Sequence, residues 1–375
     1  IYFSSFYGFS IRNTFFASII LGLSLFPYVY LLTRIAIINF SARFIEAAKT
    51  MGKTPLQCFF KICLPMAIPG IAAGLALALM ETINDFGVAD FFGLQTLTIG
   101  VFQHISVIND LPSAFSLSLI ILIIMLLLYI FEQKIRGDKK FNNSSYESIQ
   151  WSRYQLSKGK TIVVFSLSLL PILFGFFVPL LFNFLIFINN HEIIDYSNYL
   201  SSLYNSIILG SLVGFFCILV SIFINFYSRF SRNKKFLYYK KIINLGYAVP
   251  GVVIALGVLI FIKYINQFSY YTILATLIGL ILALIIRLIS ISNNSIDSGL
   301  EKVGKSIDDA SRLIGRRSST TYFRIIIPQI RLSILAGFLL VFVDTIKELP
   351  ITLLLRPFNF DTLATSLYEY SSNEM

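Results

Sequence analysis

The sequence has little charge and few cysteines, and both shortages restrict what the chain can be. Only 13% of its 375 residues are charged and 56% are hydrophobic, whereas soluble globular domains carry about a quarter charged residues. A soluble globular protein is therefore excluded. The three cysteines, Cys58, Cys63 and Cys217, give neither a disulfide framework nor the spacing of a metal site. We expect them to be small buried hydrophobic side chains.

Long apolar runs dominate the chain instead. Eight stretches approach the roughly 20 residues with which a helix crosses a bilayer, and the glycines and prolines inside them are tolerated in membrane helices. The sequence thus predicts an all-α membrane protein, a polytopic bundle of transmembrane helices. The predicted spans are residues 14–38, 66–84, 115–131, 161–188, 204–226, 242–265, 271–292 and 330–354.

The net charge of +11 raises the question of a nucleic-acid partner, and the placement of the charge answers it. Of the 30 Lys and Arg residues, 26 lie in four alternate connections, and the loops between those connections have none. This is the positive-inside distribution of a membrane protein, so we expect a lipid bilayer around the chain and no nucleic acid. The basic connections, which we place in the cytoplasm, are residues 34–61, 134–160, 229–241 and 287–331.

One pattern occurs twice in the chain, at a constant offset of 263 residues. An ungapped internal repeat of this kind indicates a duplication. Because both copies fall on the predicted cytoplasmic side, the two halves are expected to be parallel repeats about an axis along the membrane normal. The first loop contains Glu46, Ala47, Ala48, Gly52 and Pro65, and the second loop contains Asp309, Ala310, Ser311, Gly315 and Pro328.

Each loop predicts two short helices joined at a glycine. Gly52 and Gly315 are expected to end the first helix of each pair in the left-handed conformation, which glycine adopts at low cost. A helix, a sharp bend and a second helix would make a stiff projection on the cytoplasmic face. The predicted helix caps are Ser41 and Thr54 in the first loop, and Ser306 and either Ser318 or Ser319 in the second.

Two pairs of carboxylates follow the loops, toward the outer ends of the predicted spans. Glu81 and Asp85, like Asp344 and Glu348, are four residues apart, so each pair is expected to share one helix face. Ionisable side chains at membrane depth suggest a functional role, and four carboxylates suit a hard cation. The alternative is that they are solvated helix ends or pair with basic neighbours such as Lys347. Whether a metal ion binds there stays open.

The segment Gly299 to Ser306 matches the P-loop pattern of nucleotide-binding proteins. A P-loop requires a preceding strand and a surrounding sheet, whereas this segment follows a predicted membrane helix. We therefore expect no nucleotide binding there and no ATPase activity of the chain itself.

The two loops resemble the cytoplasmic loop of the membrane permease subunits of bacterial ABC importers. The segments Glu81 to Gly87 and Asp344 to Thr365 resemble the fused, two-domain permeases of the ferric iron group. The resemblance implies a first permease domain at residues 1–137, a cytoplasmic linker at 138–160 and a second permease domain at 161–375. Such permeases have further helices at both ends, so we expect this chain, which starts at Ile1, to be a piece of one.

The resemblance also implies partners and residue roles. A separate ABC ATPase dimer would receive both loops, a periplasmic binding protein would deliver ferric iron, and the chain would lie in the bacterial inner membrane without a cofactor. Thiamine, phosphonate and polyamines are alternative substrates. An ion-coupled secondary transporter is a further alternative that leaves the paired loops unexplained. The implied coupling residues are Glu46, Ala47, Ala48, Gly52, Pro65, Asp309, Ala310, Gly315 and Pro328, and the implied substrate path is Glu81, Asp85, Asp344 and Glu348.

Overall fold

A computed structural model describes residues 12–38, 47–136, 156–190, 196–231, 240, 242–243, 246–266 and 277–372. Within these residues the chain is helical and contains no strand, which confirms the predicted all-α class. Six helices are long and apolar enough to cross a membrane, and a bent pair of helices would make a seventh. We number the helices in chain order. They are α1 (Thr14–Ile38), α2 (Pro55–Asn84), α3 (Gly87–Phe91), α4 (Leu97–Ser106), α5 (Leu111–Arg136), α6 (Lys158–Asn189), α7 (Tyr196–Phe230), α8 (Gly251–Asn266), α9 (Leu277–Lys302), α10 (Ser306–Leu313), α11 (Ser318–Gln329), α12 (Arg331–Ile346), α13 (Pro350–Leu355) and α14 (Leu363–Ser372).

Two of the eight predicted spans are wrong as continuous helices. The span at 242–265 shortens to α8, because a 3₁₀ turn at Gly246–Ala248 is followed by Pro250, and proline cannot continue a helix from the preceding residues. The span at 330–354 divides into α12 and α13. Pro350 explains that break, since it has no N–H to donate to the carbonyl of Ile346, four residues earlier, and its ring clashes with that carbonyl.

Helix packing divides the chain into two compact units. One unit comprises Ile1–Leu94 with Ile123–Ile194, and the other comprises Gln95–Leu122 with Asp195–Met375. Helix α4 and the start of α5 therefore pack with the second unit, although they come from the first copy of the repeat. The linear domain borders at 137 and 160, which describe the duplication in the sequence, stay a prediction.

In the first unit, α1 and α2 pack at close range through glycines of α2. A Cβ atom on Gly70 would lie 2.6 Å from Cβ of Ala36, and one on Gly74 would lie 2.6 Å from Cα of Val29. Small residues four positions apart allow membrane helices to approach in this way. These two glycines thus fix α1 against the helix that carries the first loop.

In the second unit, α7 packs against α9 and α12. Gly210 and Gly214 of α7 receive the rings of Phe342 and Phe338 from α12, since a Cβ on either glycine would lie 2.9 Å from the ring. Toward the C-terminal end of α7, buried polar side chains join it to α9. Asn225 donates from Nδ2 to Oδ1 of Asn293 at 2.7 Å, and such hydrogen bonds hold helices together where lipid offers no alternative partner.

The structure repeats at the same offset as the sequence. At this offset, α1 (Thr14–Ile38) corresponds to residues 277–301, which are helical in α9. Each copy also contains a π-helical turn, Phe59–Cys63 in α2 and Tyr322–Ile326 in α11, and these two turns are again 263 residues apart. The duplication is therefore visible in unusual local geometry as well as in residue identity.

Candidate functional site

Both loops turn at their glycine with the same backbone geometry. Gly52 has φ +75° and Gly315 has φ +73°, so the predicted left-handed conformation is confirmed at both positions. In the first loop the Gly52 N–H donates to Lys49 O at 2.9 Å, and the Lys53 N–H donates to Ala48 O at 3.1 Å. This pair of bonds is the Schellman motif, which satisfies the last carbonyls of a helix.

The second loop repeats the motif in equivalent positions. The Gly315 N–H donates to Arg312 O at 2.9 Å, and the Arg316 N–H donates to Ser311 O at 3.0 Å. Asp309 and Ala310 are exposed on α10, whereas Ala48 of the first loop is buried and Ala47 is exposed. Glu46 and Ser41 lie outside the described residues.

Only one of the predicted helix caps is present in the part of the chain that the structure describes. Thr54 accepts from the Gln57 N–H, and the Gln57 side chain accepts from the Thr54 N–H, which completes a capping box in the first loop. The predicted caps of the second loop are wrong, because Ser306 is already the first residue of α10, Ser318 and Ser319 are the first two residues of α11, and neither helix has a side-chain capping bond. A different serine joins the two helices of the second loop. The hydroxyl of Ser311 in α10 lies 2.6 Å from the hydroxyl of Thr321 in α11.

Pro65 and Pro328 each follow a π-turn. Proline has no N–H, and its ring clashes with the carbonyl four residues earlier, which here belongs to Lys61 or Arg324. The wider π-turn, closed by an i to i+5 hydrogen bond such as Leu64 N–H to Phe59 O, accommodates the ring. Both predicted prolines therefore shape the passage from loop to membrane helix.

The tips of both loops expose large apolar side chains. Met51 is 76% exposed and Ile314, its counterpart in the repeat, is 78% exposed, and each directly precedes the turning glycine. Leu313 and Leu56 are similarly exposed. Apolar side chains at the tip of an otherwise charged loop indicate an interaction surface.

The first pair of carboxylates does not share a helix face as predicted, because α2 ends at Asn84. Asp85 has extended backbone, with φ −67° and ψ +129°. Its Oδ2 accepts from the Val88 N–H at 3.0 Å and the Ala89 N–H at 3.2 Å, so it caps α3. Burial, the largest effect, raises the pKa of the Asp85 carboxyl, although these two hydrogen bonds act in the opposite direction.

The second pair is also separated by a helix end, since α12 stops at Ile346. Asp344 pairs with Lys347 at 2.8 Å, which is the alternative that the sequence left open. Glu348 lies between α12 and α13, and its Oε1 is 2.5 Å from Nη1 of Arg287. Both side chains of this second ion pair are more than nine-tenths buried. The two carboxylates of the second half are thus bound to cations of the chain.

Arg287 stands where the predicted span at 271–292 overlaps the predicted basic connection at 287–331, and the structure places it within α9. The polypeptide packs tightly around it, since a Cβ on Gly251 would lie 2.5 Å from its Nη1. In the repeat, Ser24 occupies the position of Arg287. No sequence pattern connects Arg287 with Glu348, which is 61 residues away.

The P-loop-like segment has no nucleotide-binding fold around it. Gly299 lies in the last turns of α9 and Ser306 begins α10. A Cβ on Gly299 would lie 2.6 Å from Oγ of Ser333 in α12. This close helix contact explains the glycine without a phosphate.

No group of three or more His, Cys, Asp or Glu side chains is placed to hold a metal ion among the described residues. The four carboxylates predicted to form the substrate path belong to two different units, so their convergence on one path stays a prediction.

Comparison with known proteins places these features in a family. Residues 3–137 and 218–374 match the family described as the binding-protein-dependent transport system inner membrane component. Over 359 residues, the chain is 26% identical to the Fe(3+)-transport system permease protein FbpB 2 of Haemophilus influenzae, which covers 94% of this chain and 70% of that protein.

Two further relatives match shorter stretches. The molybdenum transport system permease protein ModB of Haemophilus influenzae is 30% identical over 105 residues, which are 26% of this chain and 44% of that protein. The spermidine/putrescine transport system permease protein PotB of the same organism is 37% identical over 86 residues, which are 22% of this chain and 30% of that protein.

Proposed function

Because the chain belongs to the family of binding-protein-dependent transport system inner membrane components, we propose that it carries ferric iron across the bacterial inner membrane as part of an ABC importer. In this proposal a periplasmic binding protein delivers the iron and a separate ATPase dimer supplies the energy. The chain itself is a membrane permease with several spanning helices.

The observation that carries the proposal is the pair of matching cytoplasmic loops. Each has a Schellman turn at glycine, an exposed apolar tip and a π-turn before proline, all at one offset. Two equivalent docking surfaces suit a dimeric partner, because each subunit of the dimer can receive one loop. An ion-coupled transporter needs no such pair.

The structure of the loops also suits the transmission of force. In the first copy, α2 runs from Pro55 in the loop to Asn84 as one helix, so a displacement of the loop moves the span with it. In the second copy, α11 and α12 meet at an angle of 73°, because Ile330 leaves helical backbone. Rigid-body movement of such elements is a common form of switching.

The relative that matches 94% of this chain is named as an Fe(3+)-transport permease. Ferric iron is therefore the first candidate substrate. Carboxylates favour such a hard cation, and we assign Glu81, Asp85, Asp344 and Glu348 to its path. Asp344 and Glu348 act there through their ion pairs with Lys347 and Arg287, which set the charge of the path.

A polyamine is the second candidate substrate, and the match to the spermidine/putrescine permease favours it. Polyamines are cations, so the same carboxylates would suit them. Charge alone therefore does not separate the two substrates.

Uptake measurements test the proposal. The protein would be reconstituted in proteoliposomes with a candidate ABC ATPase and a candidate binding protein from the same organism, and uptake of radiolabelled ferric iron and spermidine would be measured with and without ATP. We expect ATP-dependent uptake of iron. Uptake of spermidine in place of iron would overturn the assignment of ferric iron as the substrate. Uptake that persists without the ATPase would overturn the importer mechanism and favour a secondary transporter.

A further inference from the structure

Arg229, near the end of α7, holds three segments of the second unit together. Its Nε donates to Oδ2 of Asp308 at 2.8 Å, and both side chains are only 9% exposed. Its Nη1 donates to Leu300 O at 3.2 Å, and its Nη2 donates to Val303 O at 3.1 Å. One guanidinium thus joins the end of α9, the connection after it and the first turn of α10.

Arginine is suited to this position by its shape. Its planar group offers five donors in a fixed fork, and the last carbonyls of a helix need donors from outside the helix. The partial negative charge at the end of α9 adds to the attraction. A lysine would keep the charge but could not reach the carboxylate and several carbonyls at once.

A second contact fastens the other helix of the loop to the same part of α7. Tyr322 of α11 is fully buried, and its hydroxyl donates to Ile222 O at 3.1 Å. Its ring packs against Phe226 and Phe230, with ring centroids 5.2 and 6.1 Å away. Helices α10 and α11 are therefore both tied to the cytoplasmic end of α7.

The first loop lacks the residues that make these ties. At the constant offset, Asp308 corresponds to Ile45 and Tyr322 to Phe59, so neither the carboxylate nor the hydroxyl is present. The two copies thus share their turns but not these two side chains.

We propose that Arg229 is a positioning residue that makes α10 and α7 move as one body, so that the second loop passes its motion directly to α7. This rests on the proposed function of the loops as ATPase contacts and adds the route by which one of them acts. The contact surface for the ATPase is formed by other residues of the loop. Weakening the tie should therefore leave docking intact and uncouple ATP hydrolysis from transport.

The test compares Arg229→Lys, Arg229→Gln and Asp308→Asn with the wild type in proteoliposomes that contain the ATPase and the binding protein. Glu301→Gln is the matched control, since Glu301 is an exposed carboxylate at the end of α9. Three quantities are measured: co-purification of the ATPase, ATP hydrolysis, and radiolabelled ferric iron transported per ATP hydrolysed. We expect co-purification and hydrolysis to persist in all variants, and the transport ratio to fall several-fold in Arg229→Gln and Asp308→Asn, and less in Arg229→Lys.

An unchanged transport ratio in all three variants would overturn the proposal. A parallel loss of hydrolysis and transport, with the ratio preserved, would do the same, because it indicates a structural role alone. If Arg229→Gln fails to insert, Asp308→Asn and Arg229→Lys still decide the matter, since both keep side-chain size close to the original. Failure of the wild-type protein to bind any ATPase would instead overturn the proposed function.

Discussion

Gly52 and Gly315 hold both loops in backbone conformations that only glycine adopts without strain. Left-handed backbone costs other residues roughly 1–2 kcal/mol each, and more for a β-branched side chain. No neighbouring atom lies within 4 Å of a Cβ built on either glycine, so the constraint comes from φ and not from space. A substitution there changes the direction of the loop rather than the packing of the bundle.

We expect Gly52→Val combined with Gly315→Val to insert normally but to lose ATPase association and uptake. Gly22→Val is the matched control, because Gly22 also has open space around it but lies in the helical backbone of α1. Co-purification of the ATPase and iron uptake check the prediction. Wild-type uptake by the double variant would count against a coupling role of the loops.

The carboxylates of the two halves should respond differently to neutralisation. Glu81→Gln with Asp85→Asn should lower iron uptake while assembly and ATP hydrolysis persist, since an amide oxygen can still cap α3 but is a poorer ligand for a hard cation. Asp344→Asn with Glu348→Gln should lower thermal stability as well as uptake. The reason is that Arg287 then loses its buried counter-charge, and breaking such a pair costs about 3–5 kcal/mol.

Uptake and thermal unfolding in detergent separate the two effects. A further variant, Arg287→Leu with Glu348→Leu, removes both charges and should regain much of the lost stability. Wild-type uptake by all of these variants would show that the substrate path lies elsewhere.

At the scale of helices, features that depend on nearby residue types could be predicted from the sequence. Features that depend on contacts between distant residues could not. The turns at Gly52 and Gly315 and the capping box at Thr54 follow from residue types within a few positions. The break between α12 and α13 has local signals in Lys347, Glu348 and Pro350, but the predicted span at 330–354 joined the apolar stretches on both sides of them into one helix. The ion pair of Arg287 with Glu348 depends on the packing of α9 against the start of α13, which no local pattern describes.

The two π-turns set the rotation of each loop about its helix. One extra residue in a turn corresponds to roughly 100° of rotation in a regular α-helix. We expect Pro65→Ala with Pro328→Ala to allow a regular helix and so to rotate each loop away from its partner, with loss of ATPase co-purification. Pro69→Ala is the control, since Pro69 lies in α2 beyond the π-turn. Full ATPase binding by the Pro65 and Pro328 variant would contradict this role of the π-turns.

At the scale of the whole molecule, the duplication is preserved in backbone geometry and altered in side-chain chemistry. The copies share turns, π-turns and offset, yet Arg287 and Asp308 of the second copy correspond to Ser24 and Ile45. The family match in two stretches agrees with the predicted duplication. The division into packing units was not predictable, because it depends on α4 joining helices from distant parts of the sequence.

The orientation of the molecule can be tested by labelling. Cysteine in place of Met51 or Ile314 should react with a membrane-impermeant maleimide only from the cytoplasmic side, whereas cysteine in place of Val107 should react only from the outside. All three positions are at least 76% exposed. Bound ATPase should protect the first two and leave the third unchanged. The unsubstituted chain, in which Cys58 and Cys217 are buried, gives the background, and labelling of Val107→Cys from the cytoplasm would overturn the topology.

The 3₁₀ turn before α8 has a consequence for the surrounding lipid. Gly246–Ala248 and Pro250 interrupt a stretch that is apolar enough to lie in the bilayer, and non-helical backbone at that depth is tolerated only where protein covers it. The cover comes from α9, since a Cβ on Gly246 would lie 2.4 Å from Ile286 O. Any movement that separates the turn from α9 would therefore expose backbone polar groups to hydrocarbon.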